Sequence, residues 1–166
     1  MSSKLLYLFL IIKINLKIFI ALVLSVFLYG CTADDMCLSN QNALHANFFS
    51  MEEPQKTIAV EKITVLGLGM PEDYTVYKDE TVSKMFLKLS YTADTTTYVI
   101  IKQTLKDTLQ FVHSKTLDFT SRKCGFNFNF KLDTVLFAGI FIDSIAIKHQ
   151  TVKYNENFDN VEIYIY

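Results

Sequence analysis

From Phe126 to Leu132 the side chains alternate without a break. Phe126, Phe128, Phe130 and Leu132 fall on one side, and Asn127, Asn129 and Lys131 on the other. A period of two is that of an extended strand, whose successive side chains point to opposite faces. No helix puts those four apolar residues on one side. The reading is a half-buried strand that drives three phenylalanines into a core, each contributing roughly 1.5–3 kcal/mol. Whatever this chain folds into must give that strand neighbours at its edges and an apolar layer under its face.

The rest of the chain from Ala43 onward supplies similar pieces. Ala43 to Ser50 carries Leu44, Phe48 and Phe49 and reads as a strand ended by Glu52-Glu53-Pro54. Thr57 to Leu66 alternates with a change of phase near Glu61-Lys62, the mark of a bulge or turn. Gly67-Leu68-Gly69-Met70-Pro71 reads as a loop; no Gly-Lys-Ser/Thr follows it, so it is no phosphate cradle. A short strand from Tyr74 to Tyr77 then meets a charged turn at Lys78-Asp79-Glu80. Met85, Leu87 and Leu89 alternate with Phe86 and Lys88. Thr95 to Lys102 is rich in strong strand formers. A turn is expected at Lys106-Asp107, followed by Leu109, Phe111, Leu117 and Phe119 on a strand broken at His113-Ser114. Phe137 to Ile147 is mostly apolar and reads as a buried strand pair or a strand with a short helix, and Val161, Ile163 and Ile165 alternate with Glu162, Tyr164 and Tyr166. Seven to nine short strands with turns between them, and no helical pattern after residue 31, predict an all-β domain. The expected architecture is an antiparallel β-sandwich, immunoglobulin-like or related. A membrane barrel fits less well, because most strands fall short of the ~9–11 residues that spanning requires.

Ahead of the domain lies a different kind of sequence. After Lys17, the 12 residues from Ile18 to Tyr29 carry no charge. That suits the apolar region of an export signal and is shorter than the ~20 residues of a membrane span. A second apolar run, Leu5 to Ile12, precedes it across Lys13, Asn15 and Lys17. The run ends at Leu28-Tyr29-Gly30-Cys31, which resembles the bacterial lipobox, with a large apolar residue, then a small one directly before the cysteine that takes the lipid. Tyr29 departs from the small residue commonest at its place. Ordinary cleavage and a retained anchor are the competing readings. The organisation expected is a lipoprotein signal at 1–30, a tether at 31–42 and the sandwich at 43–166, with several acyl chains on Cys31 holding it at the outer membrane. Three of the 16 basic residues lie in the leader and all 17 acidic ones follow it, so the mature chain has 13 against 17 and a net charge of −4. That balance argues against nucleic acid as a partner.

With Cys31 lipidated, Cys37 and Cys124 remain, an even number in a chain sent to an oxidising compartment. A Cys37–Cys124 disulfide would close 87 positions, worth ~4 kcal/mol in the chain-entropy view. Free thiols or a metal site are the alternative.

Catalytic signatures are missing from the sequence. His45, His113 and His149 stand singly, with none of the paired spacings of a metal site, and read as surface or strand-edge residues. No Gly-x-Ser-x-Gly elbow is present, and Asp133 and Asp143 read as ordinary loop aspartates. Asn155, Asn157 and Asp159 fall at alternate positions, as the first ligands of a calcium loop do. They lack its sixth-position glycine and its distal glutamate, and an Asn/Asp-rich turn has the same composition. Exposed tyrosines and Asn127/Asn129 offer a face for sugar or protein. No cofactor and no catalytic residue is expected.

The acylated cysteine, Cys37, and Cys124-Gly125-Phe126 opening an aromatic strand together resemble a family of small, uncharacterised lipoproteins of Bacteroidota. Asp34-Asp35 resembles the export tag of surface lipoproteins in that group. The resemblance implies an envelope lipoprotein and carries no catalytic residues. The expected function is a lipid-anchored, non-catalytic binding or accessory module, touching the membrane through Cys31 and an outer-membrane protein through its folded part. A carbohydrate- or calcium-binding surface lipoprotein is the alternative.

Overall fold

The computed structural model describes Lys17 and residues 42–69, 74–122, 124–154 and 156–166. The signal segment, Cys31 and Cys37 lie outside the described residues, as does Asn155. From Asn42 onward the described chain forms ten strands and no helix. They are β1 (Leu44–Ser50), β2 (Val60–Leu68), β3 (Thr75–Val82), β4 (Lys84–Leu87), β5 (Thr95–Lys102), β6 (Leu105–Ser121), β7 (Gly125–Ala138), β8 (Ile142–Ile147), β9 (Thr151–Val152) and β10 (Val161–Ile165).

Two sheets pack as a sandwich. One has the order β4-β1-β10-β8, the other β3-β2-β5-β6-β7-β9. Neighbouring strands run antiparallel except β1 and β10, which run parallel, pairing Ala46 with Val161 and Phe48 with Ile163. The period-two patterns decide what lies between the layers. From the first sheet come Leu44, Ala46 and Phe48, Met85 and Leu87, and Val161, Ile163 and Ile165; from the second come Ile63 and Val65, Tyr98 and Ile100, Leu109 and Phe111, and Phe130 and Leu132. This is the all-β sandwich that the alternation predicts.

Three turns differ from the sequence reading. Lys78-Asp79-Glu80 is no turn but the middle of β3. Lys62 and Asp79 both take φ 53, and the pairing of β2 with β3 shifts beside each. Paired bulges absorb the charged residues without ending the strands, and the Asp79 N–H donates to Thr64 Oγ1 at 3.1 Å. Gly67 and Leu68 continue β2, and the turn begins at Gly69, whose φ is +72. The β5–β6 connection is the two-residue turn Gln103-Thr104, with Lys102 opposite Leu105, so Asp107 lies inside β6 and is fully buried.

The β6–β7 hairpin pairs Thr108 with Ala138 at one end and Phe119 with Phe126 near the other, outrunning the sandwich. Of the three phenylalanines expected in the core, Phe130 is buried and Phe128 half-buried, while Phe126 is 65% exposed. The alternation is as read, but the opposing sheet ends before it reaches Phe126.

Candidate functional site

The end of the hairpin nearest the β7–β8 turn is built around one carboxylate. Asp107 lies two residues before Leu109 and four before Phe111, so the strand turns all three side chains inward. Its Oδ1 accepts the N–H of Ile140 at 2.8 Å, and its Oδ2 those of Phe141 at 3.1 Å and Ile142 at 2.8 Å. Consecutive amides converging on a carboxylate form an anion nest, and charge-assisted bonds of this kind exceed neutral ones in strength. They lock the turn from Gly139 to Phe141. What the locked turn displays is apolar: Ile140 is 71% exposed, with Leu136 and Phe137 also open to solvent beside it. A shallow groove of about 200 Å³ runs alongside, lined by Thr97, Thr108, Gln110, Leu136, Phe137 and Ala138. The sequence reading of Phe137 to Ile147 as buried is thereby corrected. Phe141 and Ile142 are buried and Ile145 and Ile147 pack half-buried against the core, whereas Phe137 and Ile140 stay exposed. The signal for Asp107 lay in the alternation itself: extending the Leu109–Phe111 phase backwards places an acid on the inward face.

The opposite end of the hairpin is an arm with two unlike faces. Leu117 pairs with Phe128 and Phe119 with Phe126, the two rings of the second pair meeting edge-on at 5.4 Å. Tyr91 tilts over Phe128 and Phe130. On the other face, Asn127 donates to Thr120 Oγ1 at 2.9 Å and Asn129 to Asp118 Oδ2 at 3.1 Å. The asparagines offered as a face for sugar or protein cross-link the two strands. The arm turns at Cys124-Gly125, where Gly125 takes φ +65.

Two histidines are buried, contrary to the surface or strand-edge placement expected. His113 follows the inward phase of Phe111 across a register shift after Val112. Its Nε2 lies 2.8 Å from Thr96 Oγ1, which itself accepts the Ser90 N–H, and its ring meets Phe130 edge-on at 5.3 Å. Nδ1 has no partner among the described residues. His45 projects from the outer face of β1, where Phe86 covers it edge-on at 4.7 Å. Burial lowers both imidazoles' pKa below the ordinary 6.5, and Lys115 beside His113 and Lys84 beside His45 push the same way. His149 stays exposed, its ring 5.1 Å from Phe158.

Of the calcium candidates, Asn157 and Asp159 are among the described residues. Asp159 is joined to Lys84 at 2.8 Å, and that lysine lowers its pKa. Asn157 is exposed, and Asn155 is outside the described residues. Their neighbour Asn160 is the ordered residue of this segment. It exchanges backbone and side-chain bonds with His45 at 3.0 Å each and donates through Nδ2 to the carbonyls of His149 and Thr151. Asp133 is exposed, and Asp143 accepts the Tyr166 hydroxyl. No grouping of three or more His, Cys, Asp or Glu fit to hold a metal occurs among the described residues. Cys124 Sγ lies 3.8 Å from the Tyr154 hydroxyl.

Residues 62–165 match the model of a family described as a family of unknown function (DUF6452). No curated protein and no solved structure matches the chain.

Proposed function

The chain belongs to DUF6452, a family of unknown function whose model spans nine of the ten strands at least in part, and we propose that it is a lipid-anchored envelope protein acting by contact. On this reading Cys31 carries the lipid, residues 1–30 are the signal removed on export, and residues 31–42 tether the sandwich to the outer membrane, as in small lipoproteins of Bacteroidota. Cys37 and Cys124 form a disulfide. The protein is a non-catalytic accessory to another envelope component, a membrane protein of the same bilayer being the partner that its anchorage favours.

The observation that carries the contact reading is the Asp107-held turn. Three hydrogen bonds to one buried carboxylate fix the turn on which Ile140 stands out in water, and Leu136 and Phe137 are exposed on the strand that leads into it. Exposed apolar groups on a rigid support are what an interaction surface needs, since little ordering is left to be lost on binding. A photo-crosslinking residue at Ile140, in cells making the full chain, is expected to give one discrete adduct in the outer-membrane fraction. The same group at Lys78, on the far edge strand, is the control. Equal smears from both positions, or no adduct from Ile140, would refute the turn as the contact surface.

A further inference from the structure

We propose that the tip of the β6–β7 arm lies in the membrane interface, with Phe119 and Phe126 among the lipid headgroups and the adjoining acyl chains. The inference rests on the lipid anchor proposed above and extends it to a second, protein-made contact with the same bilayer.

Exposure rises steadily along one face of β7, from Phe130 at 2% to Phe126 at 65%, and the facing residues Leu117 and Phe119 on β6 are exposed too. The other face keeps its polar groups in cross-strand bonds, Asn127 to Thr120 and Asn129 to Asp118. One side of the ribbon therefore suits an apolar medium and the other water, the division that lets a surface element settle about 5–10 Å into a bilayer. Beyond the aromatic pair the turn carries the exposed Arg122. Aromatic rings at headgroup depth, with cations beside them for anionic lipid phosphates, make up the usual interfacial composition. Asp118, the acid within the arm's own tip sequence, belongs to the watery face, bound to Asn129 and to the Phe119 N–H.

Chain connectivity selects lipid over other apolar occupants. Asn42 donates to the Phe128 carbonyl at 3.3 Å, so the described chain begins against the arm. Cys124 stands in the arm's turn. With Cys37 bridged to it, the turn lies six positions along the chain from acylated Cys31, and an extended chain of that length reaches at most about 20 Å. The tip is thus held at the bilayer surface. The Ile140 turn belongs to the other end of the hairpin, since Phe119 and Thr108 are eleven residues apart on β6, roughly 35 Å at 3.3 Å per residue.

The sequence has no tryptophan, so a single introduced indole reports its own surroundings. The experiment takes the full acylated protein from its native membrane as Phe126→Trp, Phe119→Trp and Phe137→Trp variants, reconstituted in vesicles of phosphatidylethanolamine and phosphatidylglycerol. Intact mass of each sample reads the anchor. F126W and F119W are expected to emit at shorter wavelength, to resist aqueous iodide, and to lose about two-fold in intensity when the acyl chains carry bromine close to the headgroup, the depth that interfacial insertion reaches. F137W should respond only to iodide. An acylated chain whose F126W is quenched by iodide as readily as F137W overturns the tip placement and leaves the anchor standing. Blue-shifted F126W that ignores brominated lipid means that protein covers this face, a second copy included, and overturns the lipid assignment. A mass without acyl chains overturns the anchor, and the placement with it.

Discussion

Gly139 faces Asp107 so closely that a Cβ on the glycine would fall within the carboxylate group. The carboxylate can reach the amides of residues 140–142 only because nothing projects from residue 139. Gly139→Ala should therefore cost about 2 kcal/mol or more by overpacking. Asp107→Ala should cost about 3 kcal/mol, since it strands the amides of Phe141 and Ile142 in the interior. The double variant should lose less than the two costs added together, because the space left by Asp107 admits the new methyl. Denaturant unfolding of the four proteins measures this, and strict additivity would contradict the packing described.

The buried histidines set a pH dependence. Burial, then Lys115 for His113 and Lys84 for His45, lower the folded-state pKa below 6.5, with Asp94, Asp133 and Asp159 opposing. Above pH 7 both rings are neutral in the folded and unfolded states, and stability does not change through them. Below about 6.5 the unfolded chain takes up the protons first, so stability falls with pH until the lowered folded pKa is reached. The slope approaches about 1.4 kcal/mol per pH unit for each histidine. Asp94 and Asp159, whose pKa lies below the usual 3.8 through their lysine partners, act only at still lower pH. His113→Gln should flatten the slope between pH 6.5 and 5, as followed by urea midpoints.

Position along β7 decides what a phenylalanine contributes. Phe130→Ala, in the core, should cost 3–5 kcal/mol as a cavity (of order, by analogy with other cores). Phe126→Ala, four residues earlier on the same face, should cost below about 1 kcal/mol, the loss of one cross-strand aromatic pair. Melting temperatures of the two variants, measured in detergent solution, distinguish them directly.

Gln103 occupies the two-residue β5–β6 turn with φ 56. That conformation costs an L-residue with a Cβ roughly 1–2 kcal/mol, and glycine escapes it at some cost in chain entropy. Gln103→Gly should raise stability by about 0.5–1 kcal/mol. The same substitution at Thr104, where φ is not positive, should lower it.

Strand phases were the legible part of this fold. Phe130, Leu132, Met85, Leu87, Val161 and Ile163 all face the core as a period of two requires. Charged residues misled the reading wherever tertiary bonds offset their burial or curvature. Asp107 looks like a turn residue until its three amide donors, more than thirty positions later, are known. Of the bulge pair, the β2 member shows in the change of phase near Glu61-Lys62, whereas its β3 partner at Lys78-Asp79-Glu80 looks like a turn. Phe126 was misplaced for another reason: alternation tells which face a residue takes, and only the extent of the opposing sheet tells whether that face is covered. The contact turn and the arm, both defined by where coverage stops, were for that reason hidden in the sequence.

The parallel partnership of β1 with β10 brings Ala46 against Val161, residues more than a hundred positions apart. Every other strand of that sheet is placed through these two: β4 lies on β1 and β8 on β10. One layer of the sandwich therefore has no middle until Val161–Ile165 arrives. A chain of this design stays open while it is made and moved, and closes late, by a long-range step that is slow in folding terms. On the export proposed above, in which the chain crosses a membrane before it folds, that delay would act as a timer built into strand order.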